Sequence, residues 1–175
     1  MKAADGQVTA VTSARRGFRI VNQQNPPNWL GEGTVQMQDE VTCTGTNNVI
    51  NWAAHTAYSV ALTNNATAAV ITTSTNNGAV AFCMQIQSPA GAKFTSSVAA
   101  NTTGSCTLQR AISPPESGYP PQQSNEYGYT KIWTSYTNSV AGTSTLTVSM
   151  TPYYIGNPPP TNTVSLPATQ PLNNW

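Results

Sequence analysis

Apolar side chains in this chain return at every second residue. Between residues 143 and 151, Leu146, Val148 and Met150 alternate with Thr145, Thr147, Ser149 and Thr151. Only an extended backbone, whose successive side chains point to opposite faces, sorts such a run into one apolar and one polar side. The same period runs through 33–43, where Val35, Met37, Asp39, Val41 and Cys43 share one face and Thr34, Gln36, Gln38, Glu40 and Thr42 the other. This reads as a long half-buried strand with one acid intruding on its apolar face. Further strands are expected at 17–22, at 56–63 (with Tyr58, Val60 and Leu62 together), and at 92–99, 104–111 and 128–137, with Gly, Pro and Asn between them. Helix is confined to a turn or two, at 48–55 or 107–112.

One turn has a defined chemistry. Asn77-Gly78 is the preferred pair for a two-residue type I′ hairpin. The register it implies sets Phe82 opposite Thr73, Met84 opposite Ile71 and Ile86 opposite Ala69. The apolar side chains of both arms then fall on one face, which a slip by one residue would destroy. Strands at this spacing without helical stretches predict an all-β fold: a single two-layer β-sandwich or jelly roll of roughly eight to ten mostly antiparallel strands. Residues 17–151 form the expected sandwich domain. Residues 1–16, poor in large apolar groups, are an expected N-terminal arm. Residues 152–175 hold six prolines, including Pro158-Pro159-Pro160, and are an expected extended C-terminal arm. The proline-rich stretch 113–125 reads as a surface loop.

The polarity of the chain is almost uncharged. Charged residues are 7% of the 175, the net charge is +1, and 26 Thr, 15 Ser, 17 Asn and 11 Gln supply the polar surface instead. Disordered chains usually carry charge and lack bulky apolar residues, whereas here 38% of residues are hydrophobic and lie in alternating runs. A basic nucleic-acid-binding face is not supported, and no stretch approaches the roughly 18 apolar residues of a membrane span. Arg15-Arg16 is followed by Asn22-Gln23-Gln24-Asn25 rather than by the apolar stretch of an export signal.

The groups that carry chemistry are few. His55 is the sole histidine, there is no Gly-x-Ser-x-Gly elbow, and the six acids are scattered. Asp39 and Glu40 are adjacent on a strand and therefore point to opposite faces. No catalytic residue, cofactor or metal site is expected. Of three cysteines, Cys83 and Cys106 are the candidate disulfide, worth roughly 3 kcal/mol as a loop closure; Cys43 is then a buried thiol, and pairings through Cys43, or three reduced thiols, stay open. Aromatic side chains are the remaining ligand-binding feature: Tyr127, Tyr129 and Trp133 share a face with Lys131, and Trp29 and Trp175 look like anchors for a loop and a tail.

Together these features predict a non-enzymatic, outward-facing or shell-forming protein. The expected role is a structural subunit that self-assembles with copies of itself, through strand or arm exchange, into an extracellular filament, a pilus-like fibre or a viral shell. The alternative is a carbohydrate-binding or adhesive module that meets surface glycans through its aromatic stripe.

Overall fold

The computed structural model describes residues 10–22, 33–98, 130–160 and 166–175. Among them are nine strands: β1 (Val11–Val21), β2 (Thr34–Cys43), β3 (Val49–Thr56), β4 (Ser59–Thr63), β5 (Ala68–Thr72), β6 (Val80–Ser88), β7 (Thr95–Val98), β8 (Thr130–Thr137) and β9 (Gly142–Tyr154). A single 3-10 turn, Leu172–Asn174, follows. One sheet has six strands in the order β1-β2-β9-β6-β5-β4, the other three in the order β3-β8-β7. Every ladder in them is antiparallel. The protein is an all-β sandwich.

The alternating runs explain how the sheets face one another. Met37 of β2, Leu146 and Val148 of β9, Met84 and Ile86 of β6 and Ala69 of β5 project from one side of the large sheet. They pack against Trp52 of β3, Ile132 of β8 and Phe94, and all are buried. Trp52 and Phe94 lie tilted with ring centroids 6.1 Å apart. Because three strands cannot cover six, the apolar side of β1 extends past the core: Phe18 and Ile20 are 61% and 71% exposed.

The central strand β9 is longer than the clean alternation at 143–151, since it pairs β2 along its first part and β6 through Tyr154. It thus runs three residues into the segment expected to be an arm. At the other end β1 already begins at Val11, so residues 11–16 are paired with β2.

Three local expectations need correction. The arms around Asn77-Gly78 do pair, but Ala69 faces Met84 and Ile71 faces Phe82, a displacement of two residues from the expected register. An even shift keeps every apolar side chain on its face, which is why alternation alone could not detect it. In this register the tip is engaged by the residue just past β9: Gly78 donates its N–H to the Ile155 carbonyl and Ile155 donates to the Ala79 carbonyl. Gly78 has φ +83° while Asn77 is not left-handed, so the turn is not type I′, which needs positive φ at both positions. Second, 48–55 holds no helical turn; its residues form β3 opposite β8. Third, 56–63 is not one strand. Thr56 ends β3 in the small sheet, Ser59 starts β4 in the large one, and Tyr58 is exposed in the bend that carries the chain between them. The strand expected at 104–111 and the loop at 113–125 lie outside the described residues.

Candidate interaction site

The outward side of the large sheet is polar in sequence and buried in structure. The register places Arg15, Gly17 and Arg19 of β1 beside Glu40, Gln38 and Gln36 of β2. These in turn lie beside Thr145, Thr147 and Ser149 of β9, while Thr34 meets Thr151 through hydroxyls 2.9 Å apart. Thr34, Gln36, Gln38, Thr147, Ser149 and Thr151 are each at most 2% exposed. The expectation that β2 is half-buried through its apolar face is thereby corrected, since its polar face is the more completely covered. Buried amides and hydroxyls are tolerated only when hydrogen-bonded, and here they form a network. Thr147 donates to Gln38 Oε1 (3.3 Å), Gln87 Nε2 donates to Ser149 (3.1 Å), and Arg19 Nε donates to Gln36 Oε1 at 2.6 Å.

Residues 166–175 close over the β1–β2–β9 part of this face. Gln38 Nε2 donates to the Gln170 carbonyl at 2.6 Å, and the backbone N–H of Leu172 donates to Glu40 Oε1 at 2.6 Å. Arg15 reaches across with both ends of its guanidinium, to Asn173 Oδ1 and to Glu40 Oε2, each at 2.6 Å. The Arg19 guanidinium lies 4.3 Å above the Trp175 ring, a cation–π contact. Gly17 is the floor beneath Leu172 and Trp175: a Cβ there would collide with Leu172 Cδ2 and press on the Trp175 ring. The segment makes no ladder with any strand. It is held by side chains of the sheet, with Glu40 (side chain 4% exposed) as the buried acceptor at the centre.

Asp39, on the other face of β2, has a separate partner. Arg16 donates Nε and Nη2 to its two oxygens at 2.6 and 2.7 Å, which satisfies the acid that intrudes on the apolar side. The hydrogen bond to Asp39 holds the Arg16 guanidinium above its ordinary pKa, aided by the Asp39 charge and opposed by partial burial. Arg15-Arg16 and Asp39-Glu40 are thus complementary dipeptides facing each other across one ladder, each Arg–acid pair on its own side of the sheet. That complementarity is visible in the sequence once the two segments are considered as antiparallel partners.

The remaining candidate residues are dispersed. Trp175 is in the site just described. Trp133 stands half-buried on the outward side of the small sheet, opposite Ala53 and Thr95, on the same face as the buried Lys131 and the exposed His55. Trp29, Tyr127, Tyr129 and Cys106 lie outside the described residues.

Of the bridge expected between Cys83 and Cys106, the Cys106 half lies outside the described residues. Cys83 is a free thiol, 1% exposed, packed with Ala68, Val70, Ala81 and Tyr153, and burial pushes its pKa up to about 11. Cys43 is free and buried as well. The two cannot pair: β9 sets Gly142 beside Cys43 and Thr151 beside Cys83, nine residues apart and hence about 30 Å along the strand.

Among the described residues no group of three His, Cys, Asp or Glu side chains is arranged to hold a metal ion, and no helix is long and apolar enough to cross a membrane.

No protein-family model matches the chain. No curated protein matches it in sequence. Among solved structures, the chain is similar to heparan sulfate lyase HepC from Pedobacter heparinus, at 12% identity and a TM-score of 0.44. That likeness covers 86% of this chain and 23% of the lyase, so the chain spans under a quarter of the protein it resembles.

Proposed function

We propose that this protein is a structural subunit that self-assembles, copies being joined by exchange of an extended arm or edge strand into an extracellular filament, a pilus-like fibre or a viral shell. The observation that carries this reading is the buried polar face of the large sheet. A surface lined by Thr, Gln and Glu is closed by a segment held through side chains rather than by sheet pairing, which is the construction of a detachable arm. Two further features support it. The near-neutral composition removes electrostatic repulsion between copies. Phe18 and Ile20 are exposed on β1, which among the described residues has a neighbouring strand on one side only.

The placement of ionisable groups favours a structural role over a catalytic one. Asp39 and Glu40 point to opposite faces and each is neutralised by its own arginine. Light scattering across a concentration series, with negative-stain microscopy, tests the assembly. Growing mass with regular particles or fibres is the expected result; a species of monomer mass at every concentration refutes it.

A second reading, a carbohydrate-binding or adhesive module, rests on Trp133, whose half-buried ring lies on the outward side of the small sheet. A glycan array separates the two, since saturable sugar binding lost in Trp133→Ala belongs to the second reading alone.

A further inference from the structure

We propose that residues 166–175 are the exchanged arm, and that in the assembled protein they occupy the polar groove over β1, β2 and β9 of a second copy. This rests on the self-assembly reading and names its joint. The contacts between segment and groove are local to the two surfaces: Thr169 with Thr147, Gln170 with Gln38, Leu172 with Glu40, Asn173 with Arg15, and Trp175 with Arg19. None depends on which chain supplies the segment, so the same contacts form within one molecule or between two.

The tether is long enough for either. The groove contacts centre on the level of Gln38 and its partner Thr147, whereas β9 ends at Tyr154. The return path from Tyr154 to Thr147 is therefore about 23 Å at the rise of a strand. The residues between Tyr154 and Gln170, which include Pro158-Pro159-Pro160, can extend to roughly 50 Å. A tether about twice as long as the intramolecular path does not force the arm back onto its own sheet, and a proline run favours the extended form.

The groove also holds more donors than the intramolecular arm satisfies. Gln36 Nε2 and Arg19 Nη2 are buried without a partner, and Gln36 is fully inaccessible. Buried orphan donors are costly, and both belong to side chains that flank or floor the arm's seat.

The closed and exchanged states then differ little in contact energy, and concentration decides between them. In the closed state the arm caps its own groove. In the exchanged state arm-to-groove contact is head-to-tail, and such a contact builds rings or open filaments according to the rotation it imposes.

The hydroxyls of Thr147 and Thr169 are 3.4 Å apart in the closed state, so cysteines at these two positions meet whenever the arm is seated. Thr147→Cys and Thr169→Cys single variants are mixed at high concentration under mild oxidation and separated on a non-reducing gel, each alone serving as its control for the native cysteines. The expected result is a linked dimer that appears in the mixture and in neither control. It should be lost when the Thr147→Cys partner also carries Gly17→Leu, which fills the seat of Leu172 and Trp175. The proposal is overturned if the Thr147→Cys/Thr169→Cys double variant closes within single chains while the mixture yields no dimer. Light scattering of the unmodified protein at the same concentration separates the two claims: large species without the cross-link mean assembly through another surface, and no large species mean that neither claim holds.

Discussion

Asp39 and Glu40 are neighbours in sequence, each paired with an arginine at 2.6 Å, yet their removal should have unequal consequences. Coulomb attraction at equal distance rates the two pairs alike, so the difference must come from burial and from third parties. Arg16 is 49% exposed in its side chain and Asp39 15%. In Asp39→Ala water takes over the guanidinium, and the cost is about 1 kcal/mol, as for a well-aligned surface pair. Glu40 is 4% exposed and accepts from Arg15, from the Leu172 backbone and from Gln38, the last at 3.2 Å. Arg15, 45% exposed, likewise recovers water in Glu40→Ala. The Leu172 N–H and one Gln38 donor site do not, because both lie under the arm, and each costs about 1 kcal/mol or more. The total is about 3 kcal/mol, so the gap between the variants is about 2 kcal/mol, a factor of roughly 30. Limited proteolysis of residues 166–175 is the sensitive assay, because it reads release of this segment from its Glu40 and Gln38 contacts rather than opening of the sheets. Where opening is fast relative to cleavage, the rate follows the open population. Glu40→Ala should then raise cleavage within 166–175 by at least tenfold and Asp39→Ala should leave it within about twofold of the parent. Equal rates in the two variants would refute the assignment of Glu40 as the anchor of the arm.

Three further outcomes follow from other parts of the molecule. Ala66 sits at φ +62° in the β4–β5 turn after two left-handed asparagines; Ala66→Gly relieves about 1–2 kcal/mol of strain against a smaller entropic loss, so the melting temperature should rise by about 2 °C, and a fall would count against this turn geometry. Asn138 is 4% exposed and its side chain bonds the Gly45 carbonyl, the Val140 carbonyl and the Asn48 N–H at 2.6–2.9 Å; Asn138→Ala should cost about 2–4 kcal/mol in urea unfolding, and a loss under 1 kcal/mol would show that the clamp is not formed. The Cys83 thiol is raised to about 11 by burial, so its contribution is whole below the unfolded value near 9 and is lost as pH rises toward 11; roughly 2–3 kcal/mol should disappear over that window in chemical denaturation. Cys83→Ala should flatten the slope there, leaving the later loss from Tyr136, whose hydroxyl burial pushes up to about 12.

What could be read from the sequence follows from what alternation encodes. Period two names a strand and sorts its faces, so β2, β6, β8 and β9 and the inward set Met37, Met84, Leu146 and Val148 were accessible from spacing alone. It is blind to even shifts, and the Asn77-Gly78 register differs by two from the one the turn pair implied, with Ile155, distant in sequence, bonded to the tip. Nor does it say which face is covered. Thr34, Gln36, Gln38 and Glu40 have the spacing of a solvated face and become the better buried one, with residues 166–175 lying over Gln38 and Glu40. Trp175 was recognisable as an anchor by its size and its place beyond a proline-rich stretch. Its counterpart, the bare backbone of Gly17 between Arg15 and Arg19, was not, because a glycine in a strand carries no mark of what will rest on it.

A polar groove suits a reversible joint better than an apolar one. An open apolar groove of the same length would expose a contiguous sticky patch, and unassembled chains would associate without register. An open groove of Thr, Gln and Glu is satisfied by water. Closing it exchanges those hydrogen bonds for others of nearly equal strength, each worth on the order of 1 kcal/mol net. Specificity then comes from the few contacts that water cannot imitate: the Glu40 carboxylate on the Leu172 N–H, the Arg19–Trp175 stack, and the fit of Leu172 over Gly17. On the assembly proposed above, the same reasoning extends to the composition. A chain that must pack a polar face beneath a movable arm needs side chains that hydrogen-bond equally well to water and to protein, and Thr, Ser, Asn and Gln do this without the desolvation cost that charged groups would bring each time the groove closed.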